Sequence, residues 1–331
     1  MKYLITGGSG YIGGRLIELL TQREDTEVVN LDVKPPAVQR PQTRFVQMDI
    51  RDRGMRAFLE AERPDALVHL AFVLNPIRDE HTMYDIDVNG TDNVLRAASA
   101  AGIKQLLVAS STTAYGAFPD NPVPLTEGDP VRGLPGYEYA RDKTEIDRLC
   151  QLWAAQHPDH VMTIVRPTIV FGPNVDNYIV RFWSQSPFFP LLDGHDPDWQ
   201  FVHEDDVVDA ISRLLLDQRA GIFNLTADGT IRLSECARLA GIKTRRISTR
   251  AYRRIAQAAW ALHLPRVEAP PGQIDFILYP WIASNEKIKA ELGWTPRYTS
   301  RETFEITLRA KGLLAGGGEA LAPPQPAVPV A

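Results

Sequence analysis

A glycine-rich turn joins the first predicted strand to the first predicted helix. Gly7, Gly10 and Gly13 follow a short apolar strand, Tyr3–Thr6, and precede a helix predicted over Tyr11–Arg23. Glycine permits a tight turn and a close approach of the backbone to a phosphate, while the helix N-terminus offers free N–H groups to an anion. Gly13 is expected to let the helix pack closely on the sheet. The spacing is typical of a dinucleotide site, although a flexible glycine turn has the same pattern.

An acidic residue, Asp32, ends the second predicted strand. A carboxylate at this position accepts hydrogen bonds from both ribose hydroxyls of a dinucleotide and repels a 2′-phosphate. The pattern therefore favours NAD over NADP. Lys34 follows closely and would soften that preference if it faced the ribose, but we interpret it as a solvated surface lysine.

Two polar residues end the next two predicted strands. Asp49 can accept the adenine amino group, or cap the following helix, and the two roles are compatible. His69 is interpreted equally well as a structural hydrogen-bonding residue or as a cofactor contact.

Strands and helices alternate over the first two-thirds of the chain. Short apolar runs separated by amphipathic helices indicate a parallel sheet covered by helices on both faces. The further predicted strands are Glu27–Leu31, Thr43–Met48, Ala66–Leu70, Gln105–Ala109 and Met162–Arg166. The further predicted helices of this part are Arg51–Glu62, His81–Ala101 and Tyr137–His157.

The fold class is therefore α/β, a Rossmann doubly wound parallel sheet with a smaller C-terminal α/β substrate cap. We predict an NAD-binding domain over residues 1–172, to which a segment at about 200–226 returns. Residues 173–314 are predicted to form most of the cap. Residues 315–331 are rich in Gly, Ala and Pro and are predicted to be a disordered tail.

Composition argues against several kinds of partner. The 331 residues carry a net charge of −5, so no basic field attracts nucleic acid. No uncharged stretch reaches the ~20 residues that span a bilayer, and no secretory leader is expected. The basic helix beginning at Arg250 is interpreted as a solvated face rather than a membrane contact. The two isolated cysteines, Cys150 and Cys236, form neither a disulfide framework nor a metal site, which fits the cytoplasm.

A tyrosine and a lysine lie four residues apart, at Tyr139 and Lys143. On a helix these side chains share one face. A nearby ammonium and a positive nicotinamide ring both favour the phenolate, which can then exchange a proton with a substrate hydroxyl. The pair Tyr137 and Arg141 offers a rival register, but a guanidinium is less suited to this role.

Hydroxyl side chains follow the fifth predicted strand, over Ser110–Thr113. The carboxyl ends of the strands are where open α/β sheets bind ligands, so one hydroxyl can hold the reacting oxygen. Ser110 and Thr113 are interpreted as polar loop residues.

Taken together, these motifs resemble the extended short-chain dehydrogenase/reductases, in particular the NAD-dependent epimerase/dehydratase family that includes UDP-glucose 4-epimerase-like enzymes. The resemblance runs from about Lys2 to Leu314. The matching segments are Gly7–Gly13, Asp32, Asp49-Ile50, His69-Leu70-Ala71, Asn89-Gly90-Thr91, Ser110–Gly116, Tyr139–Lys143, Arg166–Pro173, Phe201–Asp206 and Leu292–Pro296.

The resemblance implies roles for particular residues. Ser111 matches the catalytic serine, with Thr112 as the alternative substrate contact, Tyr139 the general acid/base, and Lys143 the residue that lowers the tyrosine pKa and holds the nicotinamide ribose. Pro167 begins the segment beside the nicotinamide. The implied cofactor contacts are Gly7, Gly10, Tyr11, Ile12, Gly13, Asp32, Asp49, Ile50, Leu70, Ala71, Tyr139, Lys143 and Pro167. The resemblance also implies a homodimer formed through the helices His81–Ala101 and Tyr137–His157, and it implies no metal.

The departures from the family pattern concern the substrate. Sugar-nucleotide epimerases usually carry an asparagine where this chain has Arg166–Ile169, and diphosphate-binding arginines where it has Asp198–His203 and Pro271–Asp275. A diphosphate needs charge-assisted donors, and Arg181 is a single candidate substitute. The aromatic run Tyr178–Leu192 suits a less charged substrate, or simply forms the core of the cap.

Three functions follow. The first is an epimerase/dehydratase that transfers a hydride at a secondary alcohol of a sugar or sugar nucleotide. The second is a hydroxysteroid-dehydrogenase-like or flavanonol-reductase-like alcohol dehydrogenase or ketoreductase acting on an apolar substrate. The third, a non-catalytic NAD-binding protein, fits less well because the serine, tyrosine and lysine are all present.

Overall fold

Short apolar strands assemble into a parallel sheet in the computed structural model of the chain, which describes residues 1–75, 77–264 and 267–315. The strands are β1 (Lys2–Thr6), β2 (Glu27–Asp32), β3 (Thr43–Gln47), β4 (Ala66–His69), β5 (Gln105–Ala109), β6 (Val161–Pro167), β7 (Ile169–Phe171), β8 (Phe189–Leu192), β9 (Asp198–Trp199), β10 (Phe201–His203), β11 (Gly221–Leu225), β12 (Ile231–Arg232) and β13 (Thr244–Ile247). Among these, seven form the main sheet in the order β3-β2-β1-β4-β5-β6-β11. Every neighbouring pair in that sheet is parallel.

The helices of the described residues comprise those on the two faces of this sheet and those of the C-terminal cap. They are α1 (Tyr11–Leu20), α2 (Met55–Glu62), α3 (Glu80–Tyr84), α4 (Gly90–Ala100), α5 (Glu138–Gln156), α6 (Tyr178–Gln185), α7 (Glu204–Leu216), α8 (Leu233–Leu239), α9 (Thr249–Ala261), α10 (Asp275–Leu278), α11 (Glu286–Leu292) and α12 (Ser300–Ala310). A π-helical turn, Asp85–Asn89, joins α3 to α4, so the predicted helix His81–Ala101 is continuous from Glu80 to Ala100. None of the helices in the described part of the chain is both long and apolar enough to cross a membrane.

Alternation along each strand decides which helices it contacts. Tyr3 and Ile5 pack with α1 and α7, whereas Leu4 between them packs with α2, α4 and α5. Successive side chains of a strand point to opposite faces, and both faces of a parallel sheet are covered by helices. This is why the strands are almost uniformly apolar. The predicted Rossmann architecture is confirmed.

The order of the strands creates a crevice at the carboxyl ends of β1 and β4. The chain passes from β1 outward to β2 and β3, and then returns to β4 on the other side of β1. Ligands of open α/β sheets bind where the strand order reverses in this way. The glycine turn after β1, the hydroxyl segment after β5 and Pro167 at the end of β6 all lie at this edge.

The C-terminal half adds small sheets and a cluster of aromatic side chains. Its strand pairs are β7 with β10, β8 with β13, and β9 with β12, while β11 extends the main sheet beside β6. Trp183 stacks on Phe189, with ring centroids 5.4 Å apart, and meets Phe304 edge to face. Residue 315 still hydrogen-bonds Leu239, and the rest of the predicted tail lies outside the described residues.

Helix α6 lies within the aromatic run for which the sequence indicated no helix. Its N-cap is Asn177, whose side-chain oxygen accepts the backbone N–H of Val180 at 2.9 Å. Aromatic and β-branched residues have modest helix propensity, and the helix is short. Burial of Tyr178, Val180 and Trp183 against the cap stabilises it, which is a tertiary effect.

A buried ion pair ties α5 to β6 behind the crevice. The guanidinium of Arg166 donates to both carboxylate oxygens of Asp147, at 2.7 and 2.8 Å, and to the hydroxyl of Tyr115 at 2.7 Å. Both charged side chains are at most 1% exposed. Arg166 therefore has a structural role, and it does not point into the crevice.

We expect Asp147→Asn to lower the free energy of unfolding by about 3–5 kcal/mol, because the buried guanidinium loses its counter-charge. Urea unfolding measures this loss. The matched control is Glu145→Gln on the same helix, which breaks only the partly exposed pair between Glu145 and Arg148 and should cost about 0–1 kcal/mol. Equal losses in the two variants would contradict the structural role of the buried pair.

Candidate functional site

The glycine turn brings the end of β1 against the segment that follows β4. Gly7 has φ +73°, and a Cβ built on it would lie 2.7 Å from the backbone N of Ala71 and from the carbonyl carbon of Leu70. A Cβ on Gly13 would lie 2.2 Å from the carbonyl oxygen of Gly7. Both distances are far shorter than a van der Waals contact, so side chains are sterically excluded here. The turn is a backbone-lined cradle.

Helix α1 begins at Tyr11, directly after this cradle. Its N-cap, Gly10, provides no side-chain hydrogen bond to the first turn. An uncapped helix N-terminus offers free N–H groups and the positive end of the helix dipole, which suits a pyrophosphate. The Tyr11 hydroxyl donates to the buried carboxylate of Glu204, which anchors α1 to α7.

Asp32 lies at the carboxyl end of β2, beside the glycine turn. Its two carboxylate oxygens accept the backbone N–H groups of Ser9 and Lys34, each at 3.1 Å. The carboxylate is therefore oriented by backbone, and the ammonium of Lys34 takes no part in these bonds. This geometry fits the ribose of a dinucleotide.

Asp49 and Ile50 are arranged differently. The Asp49 carboxylate accepts hydrogen bonds from the Arg51 side chain at 2.7 and 3.0 Å, and these bonds keep the pKa of Asp49 below its usual range. It also accepts the backbone N–H of Arg51, but the helix begins at Met55 after its N-cap Gly54, so the helix-capping role considered for Asp49 is not formed. Ile50 is buried against Gly90. Neither residue lines the cavity described below.

Lys143 is buried at the centre of the site. Its Nζ donates to the carbonyl oxygen of Ala109, at 2.9 Å, and lies 3.2 Å from the centroid of the Phe72 ring. Burial lowers the pKa of Lys143 to about 8, although the negative charge of Asp87 acts to raise it. The ammonium form therefore still predominates at neutral pH, and the site contains a positive charge.

Tyr139 lies one helical turn before Lys143 and faces the same cavity. Burial raises the pKa of the Tyr139 phenol above its ordinary value, and the charges of Tyr178 and Asp87 add to this effect. A hydrogen bond with the Ser111 hydroxyl acts in the opposite direction and lowers the pKa. Ser111 also caps the short 3-10 helix Thr112–Tyr115 by accepting the backbone N–H of Thr113, at 3.2 Å.

The rival register, Tyr137 with Arg141, does not form a comparable pair. The Tyr137 hydroxyl is engaged with that of Tyr178, at 2.9 Å. Arg141 is 39% exposed and does not line the cavity. The arrangement supports the Tyr139–Lys143 register.

Two other polar residues at this edge point elsewhere. Thr112 is fully buried, and its hydroxyl donates to the carbonyl oxygen of Pro167 at 3.3 Å, so it does not line the cavity. His69 is held between the hydroxyls of Thr6 and Thr91, at 2.6 and 3.0 Å. Burial lowers the pKa of His69 to about 3, so it is neutral. These contacts favour the structural interpretation of His69.

A cavity of about 320 Å³ joins the glycine turn to the tyrosine and lysine. Its volume lies at the lower end of the range usual for small-molecule sites. The predicted site residues that line it are Gly7, Gly10, Tyr11, Ile12, Gly13, Leu70, Ser111, Tyr139, Lys143 and Pro167. Ala71 lies immediately behind Gly7.

Arg181 lies at a second cavity, of about 500 Å³, inside the cap. Its guanidinium donates to Glu268 at 2.6, 2.9 and 3.1 Å and to Asp176 at 2.9 Å. The side chain proposed to replace a phosphate clamp is thus already paired with two carboxylates.

Asp87 interacts electrostatically with Lys143 without lining the cavity, and the sequence analysis missed it. It lies in the π-helical turn, where its Oδ1 accepts the backbone N–H of Val73 at 2.8 Å. Its Oδ2 is buried and has no hydrogen-bond partner among the described residues. Burial raises the pKa of Asp87 to about 7, while the charge of Lys143 lowers it. The sequence did offer one signal for Asp87: it lies one helical turn before Thr91, on the buried side of a predicted helix.

Tyr178 and Gln273 were also missed as cavity residues. Gln273 donates to the Tyr178 hydroxyl at 2.9 Å, and both side chains line both cavities. No short motif marks them, because they come from segments 95 positions apart in the chain.

Comparison with known proteins shows the family. Residues 3–226 match the model of the "NAD dependent epimerase/dehydratase family". An uncharacterised protein of Mycobacterium tuberculosis is 27% identical over 323 residues, covering 94% of this chain and 84% of its own length. UDP-glucose 4-epimerase of Streptococcus mutans is 25% identical over 335 residues, covering 91% of this chain and 94% of its own.

The fold also matches solved structures. The structure of UDP-glucose 4-epimerase from Thermotoga maritima with UDP-glucose has a TM-score of 0.72 at 19% identity, covering 94% of this chain and 99% of that one. That of dTDP-glucose 4,6-dehydratase from Bacillus anthracis with NAD has a TM-score of 0.69 at 18% identity, covering 94% and 96%. The family match covers more than half of the chain, and the site contains the cradle and the tyrosine–lysine pair. The chain therefore belongs to the NAD-dependent epimerase/dehydratase family, whose members are enzymes of the extended short-chain dehydrogenase/reductase type with NAD as cofactor.

Proposed function

We propose that this enzyme transfers a hydride between NAD and the carbon of a secondary alcohol, with Tyr139, Lys143 and Ser111 at the reacting centre. One observation carries the proposal: the half-buried Tyr139 and the buried Lys143 both line the cavity that the glycine turn enters. The hydrogen bond between Ser111 and the phenol completes the set.

The residues present fit the cofactor. The cradle at Gly7–Gly13 and the uncapped start of α1 would hold the pyrophosphate, and Asp32 would hold the adenosine ribose. Lys143 would hold the nicotinamide ribose, with Leu70 and Pro167 lining the nicotinamide end. When bound in its oxidised form, NAD supplies the hydride acceptor and a positively charged ring.

Tyr139 then moves the proton. The phenolate oxygen accepts the proton of the substrate hydroxyl in the oxidation direction and returns it in reduction. Because burial raises the phenol pKa, positive charge nearby is needed to stabilise the phenolate. Lys143 supplies it, with Nζ 5.8 Å from the centroid of the Tyr139 ring. Ser111 donates a hydrogen bond to the reacting oxygen and keeps it beside the phenol.

Two substrate classes fit this chemistry. Similarity to enzymes named as UDP-glucose 4-epimerases supports a sugar or sugar nucleotide, with the hydride returned in each turnover. The apolar lining of the two cavities favours the second class, an uncharged apolar alcohol whose oxidation releases NADH. The complete tyrosine, lysine and serine set argues against a non-catalytic NAD-binding protein.

We also propose a cytoplasmic homodimer formed through the helical segment Glu80–Ala100 and α5. Large exposed hydrophobic residues on these two segments, Tyr84 and Leu152, support an interface there.

The cradle gives the first of three predictions about the proposed function. Gly13→Ala should weaken NAD binding at least tenfold, because its Cβ would displace the backbone at Gly7. Gly14→Ala is the matched control: its Cβ would meet only the carbonyl oxygen of Gly8, at 3.7 Å, so NAD affinity should be kept. Isothermal titration calorimetry with NAD measures both. Equal affinities would show that the cradle does not hold the cofactor.

Asp32 gives the second prediction. Asp32→Ala should lower the ratio of NAD to NADP affinity at least tenfold, since it removes both the ribose acceptor and the charge that repels a 2′-phosphate. Lys34→Ala should leave the ratio within about twofold, because the Lys34 ammonium takes no part in the bonds around the Asp32 carboxylate. Parallel titrations with the two cofactors measure the ratio. An unchanged ratio in the Asp32 variant would place the ribose elsewhere.

The catalytic set gives the third prediction. Tyr139→Phe should lower the turnover rate by about 10²–10⁴-fold, the usual contribution of a general acid/base. The control is Tyr137→Phe, which removes a hydroxyl engaged with Tyr178 and should cost less than tenfold. NADH absorbance, followed with sugar nucleotides and with apolar secondary alcohols, gives the rates. A Tyr139 variant of normal activity would refute the proposed acid/base.

A further inference from the structure

The two cavities adjoin within the cap. Tyr178, Ile179, Trp199 and Gln273 line both of them. The first cavity, of about 320 Å³, contains the reacting groups, and the second, of about 500 Å³, continues from it beneath α6 and α9. Together they are larger than the room needed for a nicotinamide and a small alcohol.

The lining of this combined space is apolar. In the first cavity, Lys143 is the one charged side chain among the described lining residues, and it lies at the reacting end. The walls away from it include Phe276 and Trp281. In the second cavity, Phe182, Ile255 and Ile277 represent the wall formed by α6, α9 and α10. Such walls bind hydrophobic surface and give a phosphate group no compensation for desolvation.

Among the described residues, the charged side chains that line the second cavity are Arg181 and Glu268. Three of the hydrogen bonds of the guanidinium go to Glu268, the shortest at 2.6 Å, and a fourth goes to Asp176. The three groups together carry a net charge of −1. A diphosphate would have to displace a carboxylate from Arg181 and then sit beside it. The pair therefore opposes anionic ligands.

One buried acceptor lies between the two cavities. Gln273 donates to the Tyr178 hydroxyl, while its own Oε1 is buried and has no partner among the described residues. A ligand that brings a hydroxyl or another N–H or O–H donor to this point satisfies the acceptor. The acceptor thus suits a neutral polar group on an otherwise apolar body.

We propose, resting on the function proposed above, that the substrate is an uncharged secondary alcohol, or the matching ketone, with an extended apolar body. The reacting carbon lies at Tyr139, and the body passes Tyr178 and Gln273 into the second cavity. Glu268 is the specificity residue that neutralises Arg181 and excludes phosphorylated substrates.

Binding to the full-length protein loaded with NADH tests this, because an alcohol cannot be oxidised in that complex. The probes are 4-cyclohexylcyclohexanol, cyclohexanol and UDP-glucose. Burial of a second apolar ring should make the bicyclic alcohol bind about tenfold or more tightly than cyclohexanol. UDP-glucose should bind more weakly than the bicyclic alcohol. The reverse order overturns the proposal.

A pair of variants on one helix locates the apolar body. Ala259→Phe fills the second cavity and should remove the advantage of the bicyclic alcohol while leaving cyclohexanol unchanged. Ala258→Phe adds the same ring to an exposed position of α9 and should change neither affinity. Equal affinities of the two variants for the bicyclic alcohol would show that the body lies elsewhere.

Glu268→Gln tests the charge argument. It leaves Arg181 with Asp176 as its carboxylate partner, so the affinity for UDP-glucose should rise at least fivefold while the bicyclic alcohol binds as before. An unchanged affinity for UDP-glucose would contradict the role given to Glu268.

The proposed substrate class and the proposed catalytic residues can be refuted independently of each other. Loss of binding in the NADH complex, together with Tyr139-dependent turnover of a sugar nucleotide, overturns the substrate class and leaves the catalytic assignment standing. Tight binding of the bicyclic alcohol, together with full activity of Tyr139→Phe, overturns the catalytic assignment alone.

Discussion

The contact between the turn after β1 and the segment after β4 is the constraint on which this site depends. Gly7 meets the backbone of Leu70 and Ala71 so closely that a side chain is excluded, and Gly13 meets Gly7 in the same way. The contact exists because β1 and β4 are neighbours at the point where the strand order reverses. It leaves the uncapped start of α1 facing the cavity.

Burial governs the electrostatics around this cradle. Removal from water disfavours every charged form, so the pKa values of Lys143 and His69 fall, and those of Tyr139 and Asp87 rise. Lys143, at about 8, and Asp87, at about 7, are brought close to neutral pH. The two groups are incompletely paired, since Oδ2 of Asp87 has no hydrogen-bond partner among the described residues. The fully paired Asp147 and Arg166 behind them have a structural role.

Much of the fold and of the cofactor site could be predicted locally. Apolar runs of four to six residues predicted six of the seven strands of the main sheet, all but β11, and the spacing of Gly7, Gly10 and Gly13 indicated the cradle. The interval from Tyr139 to Lys143 indicated a shared helix face, and both residues line the cavity. Each of these signals depends on residues within one or two turns of each other. The sequence analysis missed Asp87 because an acid on a predicted helix is usually solvated. Only the packing of the π-helical turn against Val73 buries it.

The sequence by itself therefore determined the sheet, the glycine cradle and the tyrosine–lysine pair, since backbone geometry and side-chain period are local properties. The tertiary structure alone decided the surroundings of the substrate. The sequence suggested Arg181 as a cation available to bind a phosphate, yet its guanidinium is paired with Glu268, 87 positions away. Thr112 and Ser111 were neighbouring hydroxyls, yet one hydroxyl meets Pro167 and the other meets the phenol of Tyr139. Charge pairing and burial depend on which distant segments the cap brings together, and no short pattern encodes that.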